Sequence, residues 1–224
     1  MSDRKRLAAE KAVELVRDGM KVGLGTGSTA SYAIEAIARL VQRGYALQAV
    51  PTSLASERQA RELGIPLTTL DEVGMLDITI DGADEVDGDL DLIKGLGGAL
   101  LREKIVAHST RTEVIVVDDS KLVRTLGTRS PLPVEVVPFS HGRTRLYMEE
   151  LGCQAELRGG DRPFITDNGN YIYHLHFERG IRDPYGLQQR LREIPGVVET
   201  GLFLKMAKKV FVASDEGVRV MERV

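Results

Sequence analysis

Apolar residues along the first half of the chain recur alternately at helical and at strand spacing. Leu7, Ala8, Ala12, Val13, Leu15 and Val16 share one helix face that the pattern carries to about Gly19, and 20-MKVGLG-25 reads as a short apolar strand. Residues 28–44 then read as a helix, 47–50 as a strand, 53–64 as a helix and 65–70 as a strand. In the next segment, 76–80, Ile78 and Ile80 alternate with Asp77 and Thr79, which is the period of a strand; a helix over 98–110 and a strand over 113–117 follow. Repeated βα units of this length predict an α/β fold, a Rossmann-like and mainly parallel sheet with helices on both faces.

Beyond Gly127 the rhythm changes. Strand 134–138, helix 142–152, strands 154–158 and 171–177, helix 184–194 and strand 197–203 spell β-α-β-β-α-β, the split βαβ order of a ferredoxin-like α+β domain. Asn168-Gly169 is a tight-turn pair just before one of these strands and supports a hairpin there. Residues 208–213 read as a strand that returns to the first sheet. The expectation is a larger domain made of residues 1–128 with 205–224, and a smaller inserted domain over 129–204.

Composition narrows the partners. A formal charge of -3 on 224 residues with 42% hydrophobic content describes a globular chain with no electrostatic reason to bind nucleic acid or an anionic membrane. No apolar run approaches the roughly 20 residues of a spanning helix. The single cysteine, Cys153, has no partner for a disulfide and no ligand-spaced companion for zinc, so a reducing, cytoplasmic setting is expected.

Four segments fall at the carboxyl ends of predicted strands: 25-GTGST-29, 52-TSLAS-56, 81-DGAD-84 and 118-DDSK-121. In a parallel sheet they open on one rim, where ligands bind. The first is glycine-rich and leads into a helix, so its N–H groups and the hydroxyls of Thr26, Ser28 and Thr29 suit an anion such as phosphate. Gly25, Gly27 and Ala30 also satisfy the degenerate dinucleotide pattern, but the acidic residue expected about 20 positions on is replaced by Pro51, Thr52 and Ser53. A tight turn without a ligand is the remaining alternative, and no P-loop pattern is present.

The second loop of interest is acidic. Asp87, Asp89 and Asp91 mimic the start of a calcium loop, yet Leu92 stands where the glycine is required and no glutamate closes the loop, so a surface turn is the better reading. Asp81 and Asp84, close to the strand end, are candidates for function. Glu103 is the sharpest candidate. On a helix its neighbours are Ala99, Leu100, Val106 and Ala107, whereas Arg102, Lys104 and His108 point elsewhere. A carboxylate on an apolar stripe is either ion-paired or used, and partial desolvation would make it a better base near neutral pH.

Together GLGTGSTA at 23–30, DGADEVD at 81–87, KGLGGALLREK at 94–104, DDSK at 118–121 and PVEVVP at 133–138 resemble the ribose-5-phosphate isomerases of the A type, as do TDNGN at 166–170 and IPGVVETGLF at 194–203. The resemblance spans nearly the whole chain. It implies an aldose–ketose isomerase acting on ribose 5-phosphate and ribulose 5-phosphate with no metal and no organic cofactor, assembled as a homodimer or homotetramer. Carried onto matching positions, Glu103 is the base that moves a proton between C1 and C2, Lys94 binds substrate and stabilises an enediolate, and Asp81 and Asp84 act on sugar hydroxyls or the ring oxygen. The substrate site so implied takes in Thr26, Gly27, Ser28 and Thr29, then Asp81, Gly82, Ala83 and Asp84, then Lys94, Gly95, Leu96 and Gly97, and Lys121, with Lys5 reaching the phosphate.

Three positions depart from the commoner family pattern. Leu96 stands in a stretch that is often all glycine, Leu101 replaces a small hydroxyl residue, and His174 stands where aspartate is frequent. The first two are expected to be packing changes, and all four histidines and Cys153 are given structural readings. A sugar-phosphate sensor and a related deaminase or coenzyme A transferase are the competing classes; Lys94 with Glu103 disfavours both.

Overall fold

A computed structural model describes residues 2–223. In chain order the elements are α1 (Ser2–Val13), β1 (Lys21–Leu24), α2 (Ser28–Gln42), β2 (Gln48–Pro51), α3 (Leu54–Glu62), α4 (Leu70–Val73), β3 (Leu76–Asp81), β4 (Glu85–Val86), β5 (Leu92–Ile93), α5 (Leu100–His108) and β6 (Thr110–Asp118). They continue with β7 (Leu132–Val136), α6 (His141–Glu149), β8 (Gln154–Leu157), β9 (Tyr171–His176), α7 (Pro184–Arg192), β10 (Val197–Thr200), β11 (Leu202–Phe203), β12 (Ala207–Ser214) and β13 (Gly217–Glu222). By packing, the chain divides into two units: residues 1–83, 102–121 and 205–224 form one, and 84–101 with 122–204 the other.

The first unit is built on a sheet of order β13-β12-β6-β3-β1-β2, parallel throughout except for the β12–β13 hairpin at its edge. Its larger core joins Ala8, Ala12 and Val13 of α1 and Ile34 and Ile37 of α2 to Val22, Leu24, Ile78, Ile80, Val114 and Val116 of the strands. Val50 and Leu76 pack with Val106 of α5 and with Leu70 and Val73 of α4 in a separate cluster. Ala49 of β2 belongs to the first cluster and Val50 to the second, so the strand alternation that the sequence shows puts helices on both faces. The returning strand expected at 208–213 is β12, which pairs parallel to β6.

The second unit holds a four-stranded antiparallel sheet of order β10-β7-β9-β8, with a small sheet of order β11-β5-β4. With α6 after β7 and α7 after β9, this is the ferredoxin-like order that the β-α-β-β-α-β pattern implies. Packing also assigns residues 84–101 and 122–128 to this unit, which periodicity does not reveal. Among the described residues no helix is long and apolar enough to cross a membrane.

Three element expectations are corrected. The helix carried to Gly19 ends at Val13, because Leu15 and Val16 bond to Ala12 and Val13 in turns while Val16 stays buried, so the apolar spacing outlasts the helix. The strand over 65–70 is a single bridge from Leu67 to Ala49; Pro66 offers no N–H, and Thr69 caps α4 through reciprocal bonds with Glu72. The strand over 197–203 is broken at Gly201, whose missing side chain leaves room for the Lys94 carbonyl, and its two halves join different sheets.

Candidate active site

Because β1, β2, β3 and β6 are parallel, the loops that leave their carboxyl ends share one rim of the larger sheet. Asp81, the last residue of β3, is 1% exposed. Its Oδ1 accepts the N–H of Thr26 at 3.0 Å and that of Gly82 at 2.7 Å, which ties the glycine loop to the strand end. Gly25 makes this approach possible: a Cβ there would stand 2.5 Å from the Asp81 Cα. Gly27 caps α2 with φ 105° and no side-chain cap bond, so the helix start at Ser28 and Thr29 presents main-chain N–H groups of the kind that favour an anion. Lys5 donates from Nζ to Ser28 Oγ at 2.9 Å, which sets an ammonium beside that helix start.

The Thr26 hydroxyl is turned away from this anion cradle. Its Oγ1 lies 2.7 Å from Thr52 Oγ1, 2.7 Å from Ser53 Oγ and 3.3 Å from Ser56 Oγ. These three residues build the rim without figuring in the expected substrate site; the available signal was the run of hydroxyls in 52-TSLAS-56 at a strand end. Lys121 closes a short 3-10 turn, Asp119–Lys121, directly after β6 and is partly buried.

Glu103 stands in the first turn of α5 and is 4% exposed. The Leu76 N–H donates to the Ser109 carbonyl at 2.8 Å, so α5 ends beside the start of β3 and its first turn lies toward the carboxyl ends of the strands. Gly23 of β1 pairs with Thr79 and with Val50, and Val50 packs against Val106 of α5, so Thr79 and Asp81 belong to the face covered by α5, opposite Ile78 and Ile80. Glu103 and Asp81 therefore share a rim and a face. The apolar stripe around Glu103 is buried as expected, but Lys104 is buried as well, a wider contact face than the spacing suggested.

The second unit carries the other candidates. Lys94 follows β5, donates its N–H to the Gly201 carbonyl at 2.9 Å and is 2% exposed, with Nζ 5.3 Å from the centre of the Phe203 ring. Asp84 donates its N–H to the Ile93 carbonyl at 2.8 Å, and its Oδ2 accepts the Leu96 N–H at 2.9 Å. Gly95 and Gly98, at φ 109° and 95°, form a turn closed by the Gly98 N–H on the Gly95 carbonyl at 2.9 Å. What position 96 gives Asp84 is a main-chain N–H, so leucine serves there as well as glycine. Gly97 is exposed at the tip of the turn, and Gly82 and Ala83 are partly buried just before Asp84.

The other acidic residues make a turn of their own. Asp87 Oδ1 accepts the N–H groups of Asp89 and Asp91 at 3.0 and 2.9 Å, and Tyr185 donates its hydroxyl to Asp91 at 2.6 Å. Among the described residues no group of three or more histidine, cysteine or acidic side chains could hold a metal ion. The Cys153 thiol, half-buried and 3.3 Å from the Met148 carbonyl, is pushed up to about 11, chiefly by burial. His141 Nδ1 lies 2.7 Å from the Tyr173 hydroxyl.

Residues 48–217 match the model of the family described as ribose 5-phosphate isomerase A (phosphoriboisomerase A). The chain belongs to the ribose 5-phosphate isomerase A family. Ribose-5-phosphate isomerase A of Bacillus mycoides is 50% identical over 98% of this chain and 99% of its own. The solved ribose 5-phosphate isomerase from Plasmodium falciparum superposes with a TM-score of 0.96 at 39% identity, covering 99% of each chain. A ribose-5-phosphate isomerase in complex with phospho-erythronic acid gives 0.95 at 41% identity, covering 99% of this chain and 98% of the other. As a ribose 5-phosphate isomerase A family member the chain is an isomerase, and the rim with Asp81, Glu103 and the helix start at Ser28 is a candidate site for that chemistry.

Proposed function

We propose that this isomerase interconverts D-ribose 5-phosphate and D-ribulose 5-phosphate by base-catalysed proton transfer through an enediolate, with Glu103 as the base. The observation that carries the reading is the buried Glu103 carboxylate on the rim and face it shares with Asp81. In the ring-opened aldose, Glu103 takes the proton from C2, the electron pair forms the C1–C2 double bond, and negative charge gathers on O1. The O2 hydroxyl proton passes to O1, Glu103 returns its proton to C1, and the carbonyl now stands at C2. Electrons and atoms balance within the sugar, so the step needs no redox partner. A proton beside a carbonyl requires a positioned base, and the enediolate requires fixed positive charge or donors, the role we assign to Lys94 with the N–H groups of Gly95 and Gly97.

Asp81 and Asp84 hold and polarise sugar hydroxyls or the ring oxygen during ring opening. Gly27, Ser28 and Thr29, with Lys5 and Lys121, take the phosphate, and the main chain at Thr26, Gly82 and Ala83 lines the sugar. The ammonium that Lys5 sets against Ser28 supports the anion cradle, as does the phosphorylated sugar acid in the related complex. The reading includes a cytoplasmic location, supported by the lone cysteine, and a homodimer or homotetramer, supported by the family resemblance.

The test is Glu103→Gln, which keeps the shape of the side chain and removes the base. We expect kcat to fall by roughly 10²–10⁴-fold, while binding of phospho-erythronic acid is retained. Turnover close to wild type would remove Glu103 from the mechanism.

A further inference from the structure

Glu135 sits on β7 in the interior of the second unit's sheet and is 0% exposed. Its Oε1 accepts from Thr166 Oγ1 at 3.0 Å, Asn168 Nδ2 at 3.1 Å and Asn170 Nδ2 at 2.9 Å. A buried carboxylate is costly unless it is hydrogen-bonded, and all three donors come from the one turn, 166–170, that closes on itself through Thr166 and Asn170. That turn ends the long connection between β8 and β9. The other end of the connection is fixed by the Arg158 N–H on the Ile172 carbonyl and the Phe164 N–H on the Arg158 carbonyl, both at 2.9 Å.

Phe164 is held between these two anchors. The Arg158 guanidinium lies 3.7 Å from the centre of its ring, and a Cβ on Gly98 would stand 2.6 Å from the ring and 2.9 Å from Arg158 Nη1. Gly98 is thus pressed against the connection, and it is Gly98 that closes the turn in which the Leu96 N–H meets Asp84 Oδ2.

We propose that Glu135, acting through the 166–170 turn and Phe164, is a positioning residue for the Lys94–Gly98 turn and hence for Asp84. The proposal rests on the assignment of that turn to the substrate site under the function proposed above. Neither Glu135 nor Phe164 touches the sugar; both fix where the groups that do are presented. Nothing in a purely structural role for Glu135 requires its effect to arrive at residues 95–98.

Two variants test this, Phe164→Ala, which leaves the Glu135 hydrogen bonds in place, and Glu135→Gln. At a temperature where circular dichroism shows each to be folded, kcat/KM should fall roughly tenfold or more. Amide hydrogen exchange at Leu96 and Gly98 should accelerate while the β7–β9 amides stay protected, and Phe164→Met, which keeps bulk on Gly98, should recover most of the loss. A lowered melting temperature with wild-type kcat/KM and unchanged exchange at Leu96 and Gly98 would overturn the proposal. Should Glu135→Gln fail to fold, Phe164→Ala decides alone. A wild-type chain with no isomerase activity would instead defeat the proposed function, and the exchange at Leu96 and Gly98 would still decide the positioning.

Discussion

Gly23 on β1 and Gly25, the residue just past its end, face different obstacles. A methyl at 25 would lie 2.5 Å from the Asp81 Cα, a main-chain atom that cannot rotate away; at 23 the nearest atom is Thr79 Oγ1 at 2.0 Å, the end of a side chain. Gly25→Ala is therefore expected to lower the free energy of unfolding by about 1–3 kcal/mol and to push Asp81 off the Thr26 N–H. Gly23→Ala should cost less, since a change of rotamer removes the 2.0 Å contact with Oγ1 and leaves the 2.8 Å approach to Thr79 Cβ, longer than the 2.5 Å approach at 25. Urea denaturation of the two variants checks the order, and equal losses would mean that Thr79 is as fixed as the backbone. The sequence alone marks Gly25 as part of a phosphate loop. Its stronger reason for being glycine is the carboxylate across the strand pair, which becomes visible only once β1 and β3 are known to be neighbours.

Helix α3 begins with a reciprocal box in which Ser53 Oγ accepts the Ser56 N–H at 3.1 Å and Ser56 Oγ accepts the Ser53 N–H at 3.1 Å. Ser53 Oγ also accepts the Thr26 hydroxyl, so one side chain serves as helix cap and as an anchor of the glycine loop. Ser53→Ala should reduce stability by about 1 kcal/mol, the cost of a lost cap, as measured by thermal or urea unfolding. No change would show that the box contributes nothing. Long helices and strands with a clear period, such as α2 and β6, were legible from spacing. The two-residue strands β4 and β5 were not, because a period cannot be recognised in two residues, and β11 was read only as the end of the strand over 197–203. The expected strand over 65–70 failed for a local reason, the proline followed by a capping threonine.

The order of elements made both folding units readable, yet not their limits. After β3 the chain leaves the first unit at Asp84 and returns at Arg102, inside the continuous helix α5, and helical spacing carries no mark of which unit each turn packs against. For the same reason Glu103 could be recognised as unusual, while the Glu135 network, whose partners lie more than thirty residues away, could not. His174, one of the departures from the family pattern, has a consequence for the stability of the whole chain. Burial first, and then the charge of Arg158, hold its imidazole below the usual histidine value, against the opposing pull of Glu156 and Asp84. In the unfolded chain a histidine titrates at about 6.5. Above that pH His174 is neutral in both states; as pH falls below it the unfolded chain takes up a proton before the folded one does, so stability is lost on acidification toward the folded value. The wild-type melting temperature should therefore drop between about pH 7.5 and 5.5, and His174→Gln, neutral throughout, should drop less. An equal slope in the variant would assign the acid sensitivity to other groups and leave His174 a packed side chain without a role in it.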